Sequence, residues 1–196
     1  MKLKLSITFL LIFAFSIKAH SQFLFGIMSI SKEFNKDQSL YLAKKYVIDE
    51  ILGKSSETVL FDADALAATS TLEITSLVFN CVDKGKGGLI FTFWGNFWND
   101  FGVVYSGYAF KYLSKDSATT LLTKLEKEKE KLFEYSKIIP ESDAQTYFTF
   151  SDLTFLLKPE KFGASIRIFW KSFDAEWSAE AYNRTKRRME RWFSKR

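Results

Sequence analysis

A glycine-rich pentapeptide, residues 84–88, separates two runs of β-forming residues, and this pattern restricts the fold more than any other part of the sequence. The runs are TLEITSLVFNCVD (71–83) and LIFTFW (89–94). Glycine adopts positive φ angles at little cost, so the pattern predicts a β-hairpin. A phosphate-binding loop is excluded because GxxxxGK[ST] is absent and no glycine pattern here opens a helix.

The other periodic segments extend this hairpin into an α+β fold. Residues 103–112 predict a third strand, and residues 146–158 and 164–177 predict two further strands joined through 159–163. Helical spacing predicts three helices: 38–52 ending at Gly53, 116–138 capped by Asp116 or Ser117, and a last helix capped by Ser178. We therefore predict an α+β fold with a mainly antiparallel β-sheet and about three helices on one face, a two-layer sandwich.

The N-terminus has the pattern of a secretory signal. Lys2 and Lys4 precede an apolar run of 13 residues, and Ala19-His20-Ser21 places small residues at the signal-peptidase positions. Residues 1–21 are thus predicted to be a signal peptide, and 22–196 a single α+β domain exported to the periplasm or medium of a bacterium after cleavage near Ser21-Gln22. A retained anchor is the alternative, although the run is shorter than the ~20 residues of a membrane-spanning helix.

Removal of that signal changes the charge and the chemistry that remain. Lys2, Lys4 and Lys18 leave with it, so 25 basic residues face 23 acidic ones, which gives no support for nucleic-acid binding. The single histidine, His20, also leaves, and Cys81 is the only cysteine. Catalysis by a histidine base, an imidazole zinc site and an internal disulfide are therefore excluded, and we expect no cofactor or metal.

Without histidine, carboxylates are the side chains that could still carry out catalysis. Asp62 with Asp64, and Asp174 with Glu176, are spaced so that each pair shares one face of a strand. A carboxylate-based hydrolase, resembling a glycosidase in its chemistry, is therefore the enzyme alternative. Such spacings are frequent by chance, so no catalytic residue is predicted.

The stretch FTFWGNFWNDFG, residues 91–102, is half aromatic. Phe91 and Phe93 belong to the predicted strand, whereas the remainder is placed at the strand connection, where loops are normally polar. Aromatic faces can stack on sugar rings or apolar ligands, and the amides can hydrogen-bond hydroxyl groups. The candidate ligand-binding residues are Trp94, Asn96, Phe97, Trp98, Asn99 and Asp100; a buried hairpin corner is the competing interpretation.

The last helix is strongly basic. Cations near a helix C-terminus interact favourably with its dipole, and this explains the charge without a partner. The functional alternative is a surface for an anionic partner, formed by Arg184, Arg187, Arg188 and Arg191. Taken together, the sequence predicts a non-enzymatic exported protein that binds an unknown protein or small ligand, with the hydrolase and a structural envelope-assembly component as alternatives.

Overall fold

The computed structural model describes residues 36–98, 101, 104–139, 143–160 and 163–194. Internal contacts divide the chain into Met1–Asp37 and Gln38–Arg196, and the architecture given below is that of the second unit. The predicted signal peptide, residues 1–21, lies outside the described residues. It stays a prediction.

The second unit contains two antiparallel sheets and three helices in its described part. Helix α1 includes residues 38–46 and ends in a π-helical turn, Val47–Leu52. The first sheet has the order β1-β2-β3-β4 and the second β5-β6-β7-β8. The remaining elements are β1 Asp62–Ala68, β2 Ile74–Cys81, β3 Lys86–Trp98, β4 Val104–Ser114, α2 Lys115–Ser136, β5 Thr146–Phe150, β6 Leu153–Glu160, β7 Gly163–Trp170, β8 Phe173–Trp177 and α3 Ala179–Ser194.

The predicted α+β class with antiparallel strands and three helices is confirmed. The structure adds that the strands form two sheets, and that the same order of elements, four strands and then a helix, occurs twice. Each of these helices follows its last strand directly. Ser114 caps α2 by accepting a hydrogen bond from the Ser117 amide (3.2 Å), and Ser178 caps α3 through the Ala181 amide (3.4 Å). The prediction for Ser178 is confirmed, and that of Asp116 or Ser117 as the α2 cap is wrong.

The main hydrophobic core lies between the two sheets and is shared with α2 and α3. Aromatic rings cross from one sheet to the other: Phe93 lies 5.1 Å from Trp170 and 5.5 Å from Phe173, between ring centroids. The predicted apolar face of α2 is buried here, with Leu121 and Leu125 fully enclosed. The two sheets bury their apolar faces against each other, and this gives more hydrophobic stabilisation than either sheet could supply alone.

Helix α1 covers the opposite face of the first sheet and forms a second core there. Ala43, Val47 and Ile51 pack on alternate residues of β2 and β3, and Tyr46 stacks on Phe110 with ring centroids 5.2 Å apart. The predicted helical face of residues 38–52 is thereby confirmed, and Gly53 follows it at φ 76° as expected of a C-terminal glycine. The first sheet therefore has helices on both faces, because both of its faces are apolar.

Two predicted strands are each two strands in the structure. Residues 146–158 turn at Ser151-Asp152 between β5 and β6, and residues 164–177 turn at Lys171-Ser172 between β7 and β8. Ser151 and Lys171 adopt positive φ angles of 56° and 53°. The second sheet consequently buries most of one face and presents the other, which carries Tyr147, to solvent.

Asp152, in the first of these turns, ties the second sheet to the first. Its carboxylate forms an ion pair with Lys111 of β4 and accepts a hydrogen bond from the Trp170 indole N–H at 2.9 Å. Partial burial alone would raise the pKa of Asp152, but these two donors stabilise the carboxylate more strongly and lower its pKa from 3.8 to about 2.

We expect Asp152→Asn to remove stability at neutral pH but not in strong acid. The folded-state pKa lies below the unfolded value, so the stabilisation is fully present above pH ~4 and is lost as the pH falls towards 2. Half of the side chain is exposed to screening solvent, so the loss should be on the order of 1 kcal/mol or less. Urea unfolding of both proteins between pH 2 and 7 measures it, and a difference that persists undiminished at pH 2 contradicts the assignment.

Candidate functional site

The β3–β4 hairpin extends beyond the rest of the first sheet. Pairing of β2 with β3 ends at Ile74 opposite Phe93, whereas β3 and β4 stay paired as far as Trp98 opposite Val104. The Trp94 amide still donates to the Glu73 carbonyl (2.9 Å), which marks the base of the extension. Residues 95–98 and 104–107 are therefore a two-stranded projection, with Phe101 90% exposed beyond it.

Gly95 allows this projection to approach the second sheet. A Cβ atom placed at Gly95 would lie 3.1 Å from Cε1 of Phe173, tighter than most Cβ contacts. Because side chains alternate along a strand, Trp94 and Asn96 point to the other face, the one on which α1 lies. The Gly95 face of the hairpin is therefore packed against the second sheet, and the face with Trp94 and Asn96 is the one that a ligand could reach.

That face carries an aromatic pair beside a pair of polar side chains. Trp94 and Tyr108 are direct partners in the ladder, with ring centroids 4.5 Å apart and planes inclined at 47°. One step along, the Ser106 hydroxyl donates to Oδ1 of Asn96 at 2.8 Å, and the Tyr108 hydroxyl donates to Oε1 of Gln38 in α1 at 3.5 Å. We call these five residues the hairpin platform.

The hairpin platform is uncharged, and Trp94 is 38% exposed within it. Because Oδ1 of Asn96 accepts from Ser106, the amide nitrogen of Asn96 keeps its two donors, which meet no acceptor among the described residues. Aromatic surface next to amide and hydroxyl groups is suited to a neutral ligand that has one apolar face and hydroxyl groups at its rim.

The structure brings two of the predicted ligand-binding residues together, Trp94 and Asn96. Phe97 and Trp98 continue strand β3, so the expectation that Trp94, Phe97 and Trp98 straddle a turn is wrong, because pairing with β4 continues through all three. The side chains of Phe97 and Trp98, and the whole of Asn99 and Asp100, lie outside the described residues, and their proposed role stays a prediction.

Sequence reasoning missed Gln38, Ser106 and Tyr108 as members of this site. The alternation in residues 103–112 does place Tyr108 on one face of a strand. That Tyr108 lies next to Trp94 follows only from the register of β3 with β4, which places the two residues opposite each other.

The candidate carboxylates are divided between the two sheets. Asp62 and Asp64 lie on β1, whereas Asp174 and Glu176 lie on the solvent face of β8. Asp174 accepts two hydrogen bonds from Arg167, at 2.6 and 3.1 Å, and this pairing raises the pKa of Arg167. Of the four carboxylates, only Asp62 lines either of two adjoining cavities of about 450 Å³ near Phe61.

A glycosidase needs two carboxylates facing each other across a pocket. Neither pair meets this requirement in the part of the chain described, because Asp174 is held by Arg167 and Asp64 lies outside both cavities. Within the same residues no group of three or more His, Cys, Asp and Glu side chains converges on a possible metal site.

The basic residues of α3 separate into two groups. Arg184 pairs with Glu180 one turn earlier, and Arg188 donates to the Leu66 carbonyl (2.6 Å), next to a register shift in β1. Arg187 and Arg191 are exposed and form no ion pair with a described residue. Two of the four residues predicted for an anionic partner therefore have intramolecular partners.

The join between α2 and α3 explains further charge on these helices. Glu126 accepts hydrogen bonds from the buried Tyr182 hydroxyl, from Lys129 (3.1 Å) and from Lys186 (3.2 Å). Burial would raise the pKa of Glu126, but the three donors lower it overall, while burial and Glu126 together raise the pKa of Tyr182. The Glu126–Lys129 ion pair is thus part of a network that joins the two helices.

Comparisons with models of protein families, with curated proteins and with solved structures find no match to this chain. No helix within the described ranges combines the length and apolar character needed to cross a membrane.

Proposed function

We propose that this chain is a non-enzymatic binding protein and that the hairpin platform holds a neutral ligand with a flat apolar face, such as a pyranose ring. The observation that carries this proposal is that Trp94, packed on Tyr108, is 38% exposed beside Asn96, Ser106 and Gln38.

The chemistry of a sugar ring matches these groups. One face of a pyranose presents C–H groups that stack on an aromatic ring, while its equatorial hydroxyls donate and accept hydrogen bonds at the rim. Asn96 and Gln38 supply amide groups there. A charged ligand is disfavoured because the five side chains include no Asp, Glu, Lys, Arg or His.

Export remains part of the proposal and is supported by the sequence of residues 1–21. A protein recovered from the periplasm or medium of a bacterial host should have the intact mass of a chain that begins at Gln22. A mass that includes residues 1–21 in that fraction contradicts cleavage.

Trp94→Ala should weaken binding of a neutral oligosaccharide about tenfold, since loss of one stacking contact is worth about 1 kcal/mol or somewhat more. Isothermal titration with hexasaccharides of β-1,4-glucose, α-1,4-glucose and β-1,4-N-acetylglucosamine measures the affinity. Tyr147→Ala is the matched control: Tyr147 is 73% exposed on the second sheet, away from the hairpin platform, and its loss should leave affinity unchanged.

Two results contradict the proposal. One is that none of the three hexasaccharides binds the unmodified protein. The other is that Trp94→Ala and Tyr147→Ala bind equally well. Release of reducing ends from any of the sugars would instead favour the hydrolase alternative.

A further inference from the structure

One of the two cavities near Phe61 lies between the π-helical end of α1 and residues 53–61, the loop that follows this helix. Its volume is about 450 Å³, within the range of roughly 300–1,000 Å³ that is usual for small-molecule sites. The hairpin platform meets α1 at Gln38, and Leu52 in the cavity wall is about 20 Å farther along the helix. We call this separate site the loop cavity.

The walls of the loop cavity are mainly apolar. Ile48 and Leu52 are four residues apart in the last turn of α1, and Val59 and Phe61 come from the loop. Ile48 is 44% exposed, so the protein itself leaves part of this apolar surface in contact with water. An apolar group of a ligand would remove that surface from water, which favours binding.

Two opposite charges complete the lining. Lys54 and Glu57 are the charged residues of the loop cavity, and both are exposed to solvent. Neither has an ion-pair partner among the described residues. The chain bends at Ser56 and Glu57, so two residues three positions apart reach the same cavity. The loop cavity therefore offers one cation and one anion beside an apolar wall.

Hydrogen bonds hold the loop in this form. Oγ of Ser55 accepts from the Glu57 amide at 3.1 Å, within the bend. The Leu60 amide donates to Oδ2 of Asp83 at 3.3 Å, which ties the far end of the loop to the residues that follow β2. The π-helical turn before the loop is a rare form of helix that occurs frequently at functional sites. A site with walls held in this way needs less ordering when a ligand binds.

We propose that the loop cavity binds a free α-amino acid with a large apolar side chain. The ammonium group of this ligand pairs with the Glu57 carboxylate, its carboxylate pairs with the Lys54 ammonium group, and its side chain lies against the apolar wall. A fatty acid or an alkylamine would satisfy only one of the two charges, and a neutral sugar would satisfy neither. The proposal does not depend on the function proposed for the hairpin platform.

The test is isothermal titration of the full chain with L-phenylalanine and three compounds that each lack one of its features. 3-Phenylpropanoate lacks the ammonium group, 2-phenylethylamine lacks the carboxylate, and L-alanine lacks the large side chain. Each should bind at least about fivefold more weakly than L-phenylalanine, because a charge-assisted hydrogen bond or the apolar contact is lost. The proposal is overturned if L-phenylalanine does not bind, or if 3-phenylpropanoate or 2-phenylethylamine binds as tightly.

Variants locate the binding site. Glu57→Gln removes the anion from an exposed loop and should weaken binding of L-phenylalanine at least about fivefold. Glu50→Gln is the matched control: Glu50 is exposed on α1 but does not line the loop cavity, so affinity should stay within about twofold. Trp94→Ala should also leave the affinity unchanged. Equal affinities of Glu57→Gln and Glu50→Gln overturn the proposal, as does a larger loss in Trp94→Ala than in Glu57→Gln, which would place the amino acid on the hairpin platform.

Discussion

Replacement of Gly88 by alanine is expected to remove at least about 3 kcal/mol of stability. A Cβ atom at Gly88 would lie 2.0 Å from the Leu113 carbonyl oxygen, 3.0 Å from its carbon and 2.8 Å from Cε2 of Tyr112. The backbone oxygen cannot move aside without breaking the ladder between β3 and β4. The φ angle of 159° adds strain for any residue with a side chain.

Gly85→Ala is the matched control, three residues earlier in the same hairpin. Gly85 also has a positive φ, 59°, but a Cβ atom there meets nothing within 4 Å. Its replacement should therefore cost only the left-handed conformation, about 1 kcal/mol. Urea unfolding followed by circular dichroism measures both variants, and equal losses at the two positions would show that the close approach at Gly88 does not matter.

The same glycines show why the hairpin was predictable from sequence. A cluster of glycines between two apolar runs is a local signal, and both the positive φ angles and the strand pairing follow from it. The helices were predictable for a similar reason, since the buried residues of α2 and α3 recur at the helical period. The cap of α2 was predicted at Asp116 or Ser117, but the helix is capped by Ser114. Three residues suited to capping lie within four positions, so the sequence does not distinguish between them.

The two turns of the second sheet lacked such a signal. Ser151-Asp152 and Lys171-Ser172 contain no glycine, and their positive φ angles are carried by Ser151 and Lys171. Apolar alternation resumes on the far side of each turn, so each pair of strands resembles one long strand. The positions of these turns are set by the packing of both strands on the main core. A stretch of a few residues around each turn does not reveal that packing.

Of the candidate site, only the two residues that lie close together on one strand could be predicted from the sequence. Trp94 and Asn96 are two residues apart on one strand, so their shared face follows from the period of a strand. Ser106 and Tyr108 join them through the register of β3 with β4, and Gln38 joins through the docking of α1. The register of this hairpin depends on the turn that joins the two strands, and the docking of α1 depends on contacts between distant segments; the sequence alone specifies neither.

Trp177→Ala is expected to destabilise the protein by about 3–5 kcal/mol, a large share of the 5–15 kcal/mol typical of a domain. Trp177 is fully buried in β8. Its ring meets Phe91 of the first sheet edge-on at 4.9 Å and Tyr182 of α3 at 5.1 Å, between centroids. Its removal leaves a cavity where three elements meet, and none of them can collapse into it without losing contacts to the others.

Phe169→Ala provides the comparison within the same sheet. Phe169 belongs to β7 but lies on the solvent face and is partly exposed, so its truncation should cost about 1 kcal/mol or less. Trp177→Phe should fall between the two, since it keeps an aromatic ring but not the full volume. Urea unfolding at pH 7 ranks the three variants. If Trp177→Ala unfolds at the same urea concentration as Phe169→Ala, the two sheets and α3 do not share the core around Trp177, and the packing described for β8 is wrong.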